Sequence, residues 1–330
     1  MVIFILRRLV WCVVVVFLIS ILTFVLYFVI PPVSPAVLFA GKAATPDLIA
    51  QAKASLGLNH SVTTQYYLFV RHLFLGDQYG WPGLGFSFAT RQSVLSMIGP
   101  RFVVTLTLGL GALLIWLFIG VSVGVISAVR KGSLWDRLSL VVAMFLLSAP
   151  VFWLGLMFLW LFWYKLGIAS GTGYESLQQH GLLPWVSHMI MPWIVLALLY
   201  AAWYVRMTRA SVLDVLDRDF VLTARGKGLG ERRVLFVHVL RAALTPMITM
   251  VGMDIAGLVS GTVVVEVVFN LNGLGQFAIN SVLADDIPSV LAITLLGALT
   301  VTIINLIVDV LYVYLDPRLR TETRTRVALP

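Results

Sequence analysis

Two acids lie inside long apolar runs: Asp254, about halfway along the run Ala242 to Val265, and Asp309, in the run Ile287 to Leu315. A carboxylate in such surroundings is expensive to bury. It can bind a proton or a cation, line a path for a polar solute, or hydrogen-bond to a neighbouring helix. For Asp254 a bond to a neutral residue such as Asn305 is the plainer expectation, ahead of contact with a solute. Ser260, on the same run, is a further polar position for either a path or a packing face. Asp309 lies nearer the end of its run, where a pair with a basic tail residue such as Arg318 is expected.

Residues for other chemistries are missing. No G-x-x-x-x-G-K-[ST] string occurs; Gly226-Lys227-Gly228 lacks the hydroxyl residue and the glycine spacing that cradle a phosphate. There is no H-E-x-x-H or G-x-S-x-G, and the five His residues are scattered. The one Cys, Cys12, has no partner for a disulfide or a thiolate metal site. The chain is therefore expected to be non-catalytic, with no metal or cofactor of its own. Asn59-His60-Ser61 formally matches a glycosylation acceptor, a short pattern with many chance matches.

The elements that must position these acids are membrane spans. Of 330 residues, 60% are apolar and 12% charged, with mean hydropathy +0.99. Soluble domains carry about 25% charged residues, so this chain has too little charge to coat a soluble surface. Six runs approach the roughly 20 residues a helix needs to cross a bilayer. They are Leu9 to Ile30, Phe102 to Val129, Leu138 to Tyr164, Met189 to Val205, Ala242 to Val265 and Ile287 to Leu315. Helices are expected throughout, because lipid offers backbone groups no partner. The first run is too long for the core of a secretory signal and is expected to be a retained anchor. The fold expected is all-α and polytopic, with six transmembrane helices.

Basic residues set the orientation. With the amino terminus inside, segments 1–8, 130–137, 206–241 and 316–330 hold 2, 3, 8 and 4 Lys and Arg, 17 of the 23. The short outer loops 166–188 and 270–286 hold none. The positive-inside rule thus places both termini in the cytoplasm and explains the net charge of +8 without nucleic acid. Gly120 with Gly124, and Gly257 with Gly261, match the small-residue spacing of close helix packing. The aromatic groups Trp153, Trp160, Trp163, Tyr164 and Trp193, Tyr200, Trp203, Tyr204 suit interfacial belts or packing rather than ligand stacking.

Two polar segments carry structure of their own. In the long outer segment, Thr45-Pro46-Asp47 reads as a helix start leading to Gly57, and a second amphipathic helix is expected over Thr64 to Leu75. In the inner segment, Leu213, Leu216, Phe220 and Ala224 recur at helical spacing, with Asp214 and Arg218 as an i, i+4 pair, until Gly226, Gly228 and Gly230 stop the helix. Another amphipathic helix follows, about Glu231 to Ala243. In this hairpin Phe220 is an apolar knob, and Ala224 and Gly228 form a small face beside basic residues. The pattern suits docking to a protein or resting on lipid headgroups equally well.

Four strings also carry a family likeness: FILRRLV at the start, DFVLTARGKGL at 219–229 with RAALTP at 241–246, EVVFNLNGLGQFAINSVLADDIP at 266–288, and DVLYVYLDPRLR at 309–320. The chain resembles the first-type permease subunit of bacterial dipeptide, oligopeptide and nickel importers of the ATP-binding-cassette class. That resemblance implies a type-I importer fold, divided into an anchor and outer loop at 1–92, a permease domain at 93–315 and a cytoplasmic tail at 316–330. It implies a coupling helix near 217–230, with Phe220, Thr223, Ala224, Arg225, Lys227 and Gly228 docking an ATPase. It also implies a homologous second permease, two ATPase subunits holding ATP and Mg, and an extracytoplasmic binding protein. Peptide is the default cargo, with nickel chelates, glutathione and opines open. Where the family generally has Ala-Pro-Gly-Asp-Pro, this chain has Pro31-Pro32-Val33-Ser34-Pro35. The competing readings are an ion-coupled secondary transporter using Asp254 and Asp309, and a membrane scaffold without transport.

Overall fold

The computed structural model describes residues 2–30, 34–40, 45–55 and 57–315. The tail, with Arg318, and the stretch Pro31-Pro32-Val33 lie outside the described residues. Among those described there are helices and turns, with two isolated bridges, Asp77 to Gly80 and Phe86 to Ser93.

Four helices are long and apolar enough to cross a membrane unaided: Leu6–Phe24, Val94–Val129, Leu182–Leu216 and Ile287–Val310. Three bent pairs pass the same test when each is taken as one span, which gives four to seven crossings by length and composition. The six expected runs fall within that range, but the third is not a single rod. Leu134–Ser148 and Val151–Lys165 meet at 108°. Pro150 lacks an N–H and crowds the residue before it out of the helical region, so Ala149 is extended at φ −81°, ψ 129°.

The fourth run is also longer than expected. Its helix runs from Leu182 to Leu216 and so takes in Leu213 and Leu216, which the spacing had assigned to the inner hairpin. Arg218, the expected helical partner of Asp214, is extended at φ −81°, ψ 145° and precedes a separate helix, Asp219–Gly226.

The chain forms two compact units, residues 1–103 with 273–330, and residues 104–272. In the second unit, helices Val94–Val129 and Leu182–Leu216 close on glycines. A Cβ added at Gly120 would collide with that of Tyr204, and one at Gly124 would stand 2.5 Å from Thr208 Cβ. Lipid tails are as apolar as leucine, so such close van der Waals approach holds membrane helices together where burial alone does not. Trp116 fills the space beside them, fully buried, its ring 4.5 Å from Tyr200 and nearly parallel to it. Gly257, by contrast, has open space beside it, and Gly261 has no described side-chain surroundings.

Helix Thr245–Phe269 ends where Asn270 and then Asn272 adopt left-handed backbone, at φ 52° and 58°. Short amide side chains tolerate that conformation better than most. The helix thereby extends past the expected end at Val265 and carries Glu266 into the core, where it accepts a 2.6 Å bond from Thr105.

In the first unit, Ser61 caps the outer helix Val62–Leu75, accepting from Thr64 N. Tyr66, on that helix, shares a 2.8 Å hydrogen bond with Ser20 of the first span. Asp286 accepts from Ser87 Oγ at 2.6 Å and from the Phe88 amide at 2.8 Å, tying the glycine-rich outer segment to the start of the last span. The short outer helix lies at Pro46–Ser55 and Gly57 follows at φ +67°, as the Pro and Gly signals required.

Candidate functional site

The helix Asp219–Gly226 has two faces with different work. Val221 and Ala224 point inward and are buried, packed with Val212, Val234, Val239 and Ala243. Phe220, Leu222, Thr223, Gly226 and Lys227 are exposed, and Phe220 and Leu222 present about half their surface. Ala224 is therefore an anchor of the hairpin rather than part of an outward small face. Phe220 is an exposed knob on one flank, and Leu222, which the spacing did not single out, is exposed on the opposite flank.

Local bonds fix the helix. Thr223 Oγ1 donates back to Asp219 O at 2.8 Å. Arg225 donates from Nε and Nη2 to both oxygens of Glu231, at 2.9 and 3.2 Å, which staples the helix to the start of the next one. Asp219 in the first turn and Arg225 in the last each sit at the favourable end of the helix dipole. Gly228 follows at φ +79° with open space around it. Glycine is required there by the backbone conformation, and no neighbour limits side-chain size.

A second network stands next to this hairpin. Asp136, buried, accepts from Arg209 Nε at 2.6 Å and Nη2 at 3.0 Å, from Ser127 Oγ at 2.6 Å and from Gly132 N at 2.8 Å. The Arg209 guanidinium, then Ser127 and the Gly132 amide, hold the Asp136 carboxyl well below the usual carboxylate range, and the carboxylate raises Arg209 in return. Sequence reading passed over this pair. Its signal was Ser133-Leu134-Trp135-Asp136, a helix-start pattern in which Ser133 Oγ accepts from Asp136 N at 3.3 Å.

Of the expected path residues, Asp254 takes its bond from Tyr204, whose hydroxyl donates to Oδ2 at 2.6 Å, and not from Asn305, which is exposed. Asp309 pairs with Arg8, Nη1 to Oδ2 at 2.9 Å, where Arg318 had been expected; the first span brings its arginine to the last one. The Ser260 side chain lies outside what is described. Asp254 borders a cavity of about 400 Å³ whose walls include Leu147, Val151, Leu196, Tyr200 and Trp203.

Sequence comparison decides what this arrangement belongs to. The profile of the binding-protein-dependent transport system inner membrane components matches residues 120–321, and that of the amino-terminal region of the same membrane components matches residues 1–109. The chain belongs to this family. It is similar to the dipeptide transport system permease protein DppB of Escherichia coli (strain K12), 35% identical over 96% of this chain and 98% of that one. DppB of Alkalihalophilus pseudofirmus is 33% identical over 95% of this chain and 98% of that one. A crystal structure of an amino acid ABC transporter with histidines aligns at 17% identity and a TM-score of 0.47, covering 66% of this chain and 94% of that one. This member of the family is a multi-pass membrane protein and a transport permease subunit, and such subunits work with ATPases and a substrate-binding protein.

Proposed function

We propose that this chain is the first permease of an ATP-driven peptide importer, forming half of the path across the bacterial cytoplasmic membrane. Both termini lie inside, as the basic residues of the inner segments require. Residues 1–92 anchor the chain and face the delivering binding protein, 93–315 form the permease domain and 316–330 the tail. The chain itself is non-catalytic. ATP and Mg are held by two ATPase subunits, and a homologous second permease completes the path.

The observation that carries this reading is the two-faced helix Asp219–Gly226. Its inward face is locked into the chain's own core and its carboxyl end is stapled to the next helix, while Phe220 and Leu222 stand exposed on its two flanks. Exposed apolar side chains on a rigid, basic-flanked helix suit insertion into a cleft of a partner. Phe220, Leu222, Thr223 and Lys227 make the contact; Ala224, Arg225 and Gly228 hold the helix in shape. The names of the relatives support peptide as cargo.

Co-purification of the chain with its ATPase subunits tests the docking role. Phe220→Ala with Leu222→Ala should lower the recovered ATPase at least tenfold while leaving the amount of membrane-inserted chain unchanged. Full recovery of ATPase by the double variant would place the contact elsewhere.

A further inference from the structure

Asp254 places its carboxyl group on the wall of this cavity. Among the described residues no basic side chain pairs with this carboxylate; Tyr204 alone donates to it. A carboxylate set among apolar walls at membrane depth is costly to hold unpaired, and the cost is relieved by a proton or by a positive partner that reaches it. Two other features of the cavity bear on its occupant.

One is the break at Ala149–Pro150. Leu147 and Val151, on either side of it, line the cavity. The helix Leu134–Ser148 therefore ends at this space and the helix Val151–Phe158 begins there, so a carbonyl end and an amide end meet and their opposite partial charges largely offset. Non-helical backbone at membrane depth is tolerated where it borders a protein cavity, and broken helices of this kind line the ion and substrate sites of transporters. Another feature is the pair of aromatic side chains, Tyr200 and Trp203, on the wall. Aromatic faces attract cations, more strongly where water is scarce. Tyr200 is kept in place by stacking on Trp116 at 4.5 Å. The volume, about 400 Å³, falls in the range of small-molecule sites and exceeds what a bare proton or metal ion needs.

We propose that this cavity is a transit subsite for the primary ammonium group of a peptide, with Asp254 as its counter-charge, Tyr204 holding the carboxylate in register, and Tyr200 and Trp203 flanking the cation. The proposal rests on the peptide-importer reading and adds a specific contact within the path. Leu196 and the other apolar walls accommodate the first side chain of the peptide without choosing among sequences.

The test uses the full complex, with both permeases, the ATPases and the binding protein, in vesicles supplied with ATP and labelled trialanine. Asp254→Asn should lower uptake tenfold or more, and Asp254→Glu should retain at least a third of it, because charge rather than shape is what the site supplies. In the wild-type complex, modification of Asp254 by dicyclohexylcarbodiimide, read by mass spectrometry, should slow at least threefold when trialanine is present and should be indifferent to N-acetyl-trialanine. That measurement decides the matter if the Asn variant fails to assemble. Wild-type uptake together with an unimpaired Asn variant would overturn the subsite alone, as would labelling that trialanine does not slow. A wild-type complex that takes up no trialanine would overturn the peptide reading and the subsite with it.

Discussion

Arg209 grips Asp136 with two nitrogens, Nε and Nη2 reaching its two carboxylate oxygens at 2.6 and 3.0 Å. Arg209 lies one to two turns before the helix Leu182–Leu216 gives way to Asp219–Gly226, and Asp136 opens the helix that follows the polar loop 130–133. The fork therefore bolts the loop between two spans to the long helix that leads into the one carrying Phe220 and Leu222.

Removing one member of this pair leaves a buried charge without its partner. Asp136→Asn should destabilise the purified complex by about 3 kcal/mol, the lower end of the range for broken buried pairs. Thermal unfolding in detergent, followed by fluorescence, measures the loss. Arg209→Lys should recover only part of it, since a single ammonium cannot reproduce the fork.

The same pair gives a pH dependence of known sign. Asp136 titrates below its unfolded value when folded, so its stabilising contribution is complete above the ordinary carboxylate range near about pH 4 and shrinks as pH falls further. The stability gap between wild type and Asp136→Asn should thus be constant from pH 7 to about 5 and begin to narrow only below about 4. Melting curves of both proteins across that range would show it; a gap that closed between pH 7 and 5 would contradict the assignment.

Helix packing in the second unit depends on glycines at particular positions. Gly124→Leu would drive a side chain into Thr208 and should cost about 1–3 kcal/mol or lower folded yield, whereas Gly257→Ala meets open space and should change stability by less than about 0.5 kcal/mol. Yields of monodisperse protein after gel filtration compare the two directly.

Gly228 distinguishes backbone conformation from side-chain room. Its φ of +79° penalises β-branched residues, and nothing lies within 4 Å of an added Cβ. Gly228→Val should cut ATP-driven uptake several-fold while Gly228→Asn, tolerant of left-handed backbone, should be milder. Equal loss in both would instead mean that bulk at this position blocks a partner.

Much of this was legible in the chain. Apolar runs placed the long helices, Thr45-Pro46 and Gly57 bounded the first outer helix, and Phe220 was found as an exposed knob because its neighbours repeat at helical spacing. What escaped depended on contacts distant in sequence. The spacing that singled out Ala224 as a docking face is the spacing of a core anchor as well, and only packing against Val212 and Val234 separates the two. Asp254 could be flagged as costly, but Tyr204 is 50 residues away and no pattern links them. The bend at Pro150 was hidden by continuous hydrophobicity, which says that a stretch prefers lipid or core and not that it is straight.

The central claim is that this chain is half of a path driven by engines it does not contain. Uptake of labelled trialanine into vesicles should be measured with the two permeases and binding protein alone, under an imposed proton or sodium gradient, and again after adding the ATPases and ATP. Uptake should appear only in the second case and should vanish when ATP is replaced by a non-hydrolysable analogue. Gradient-driven uptake without the ATPases would contradict the account.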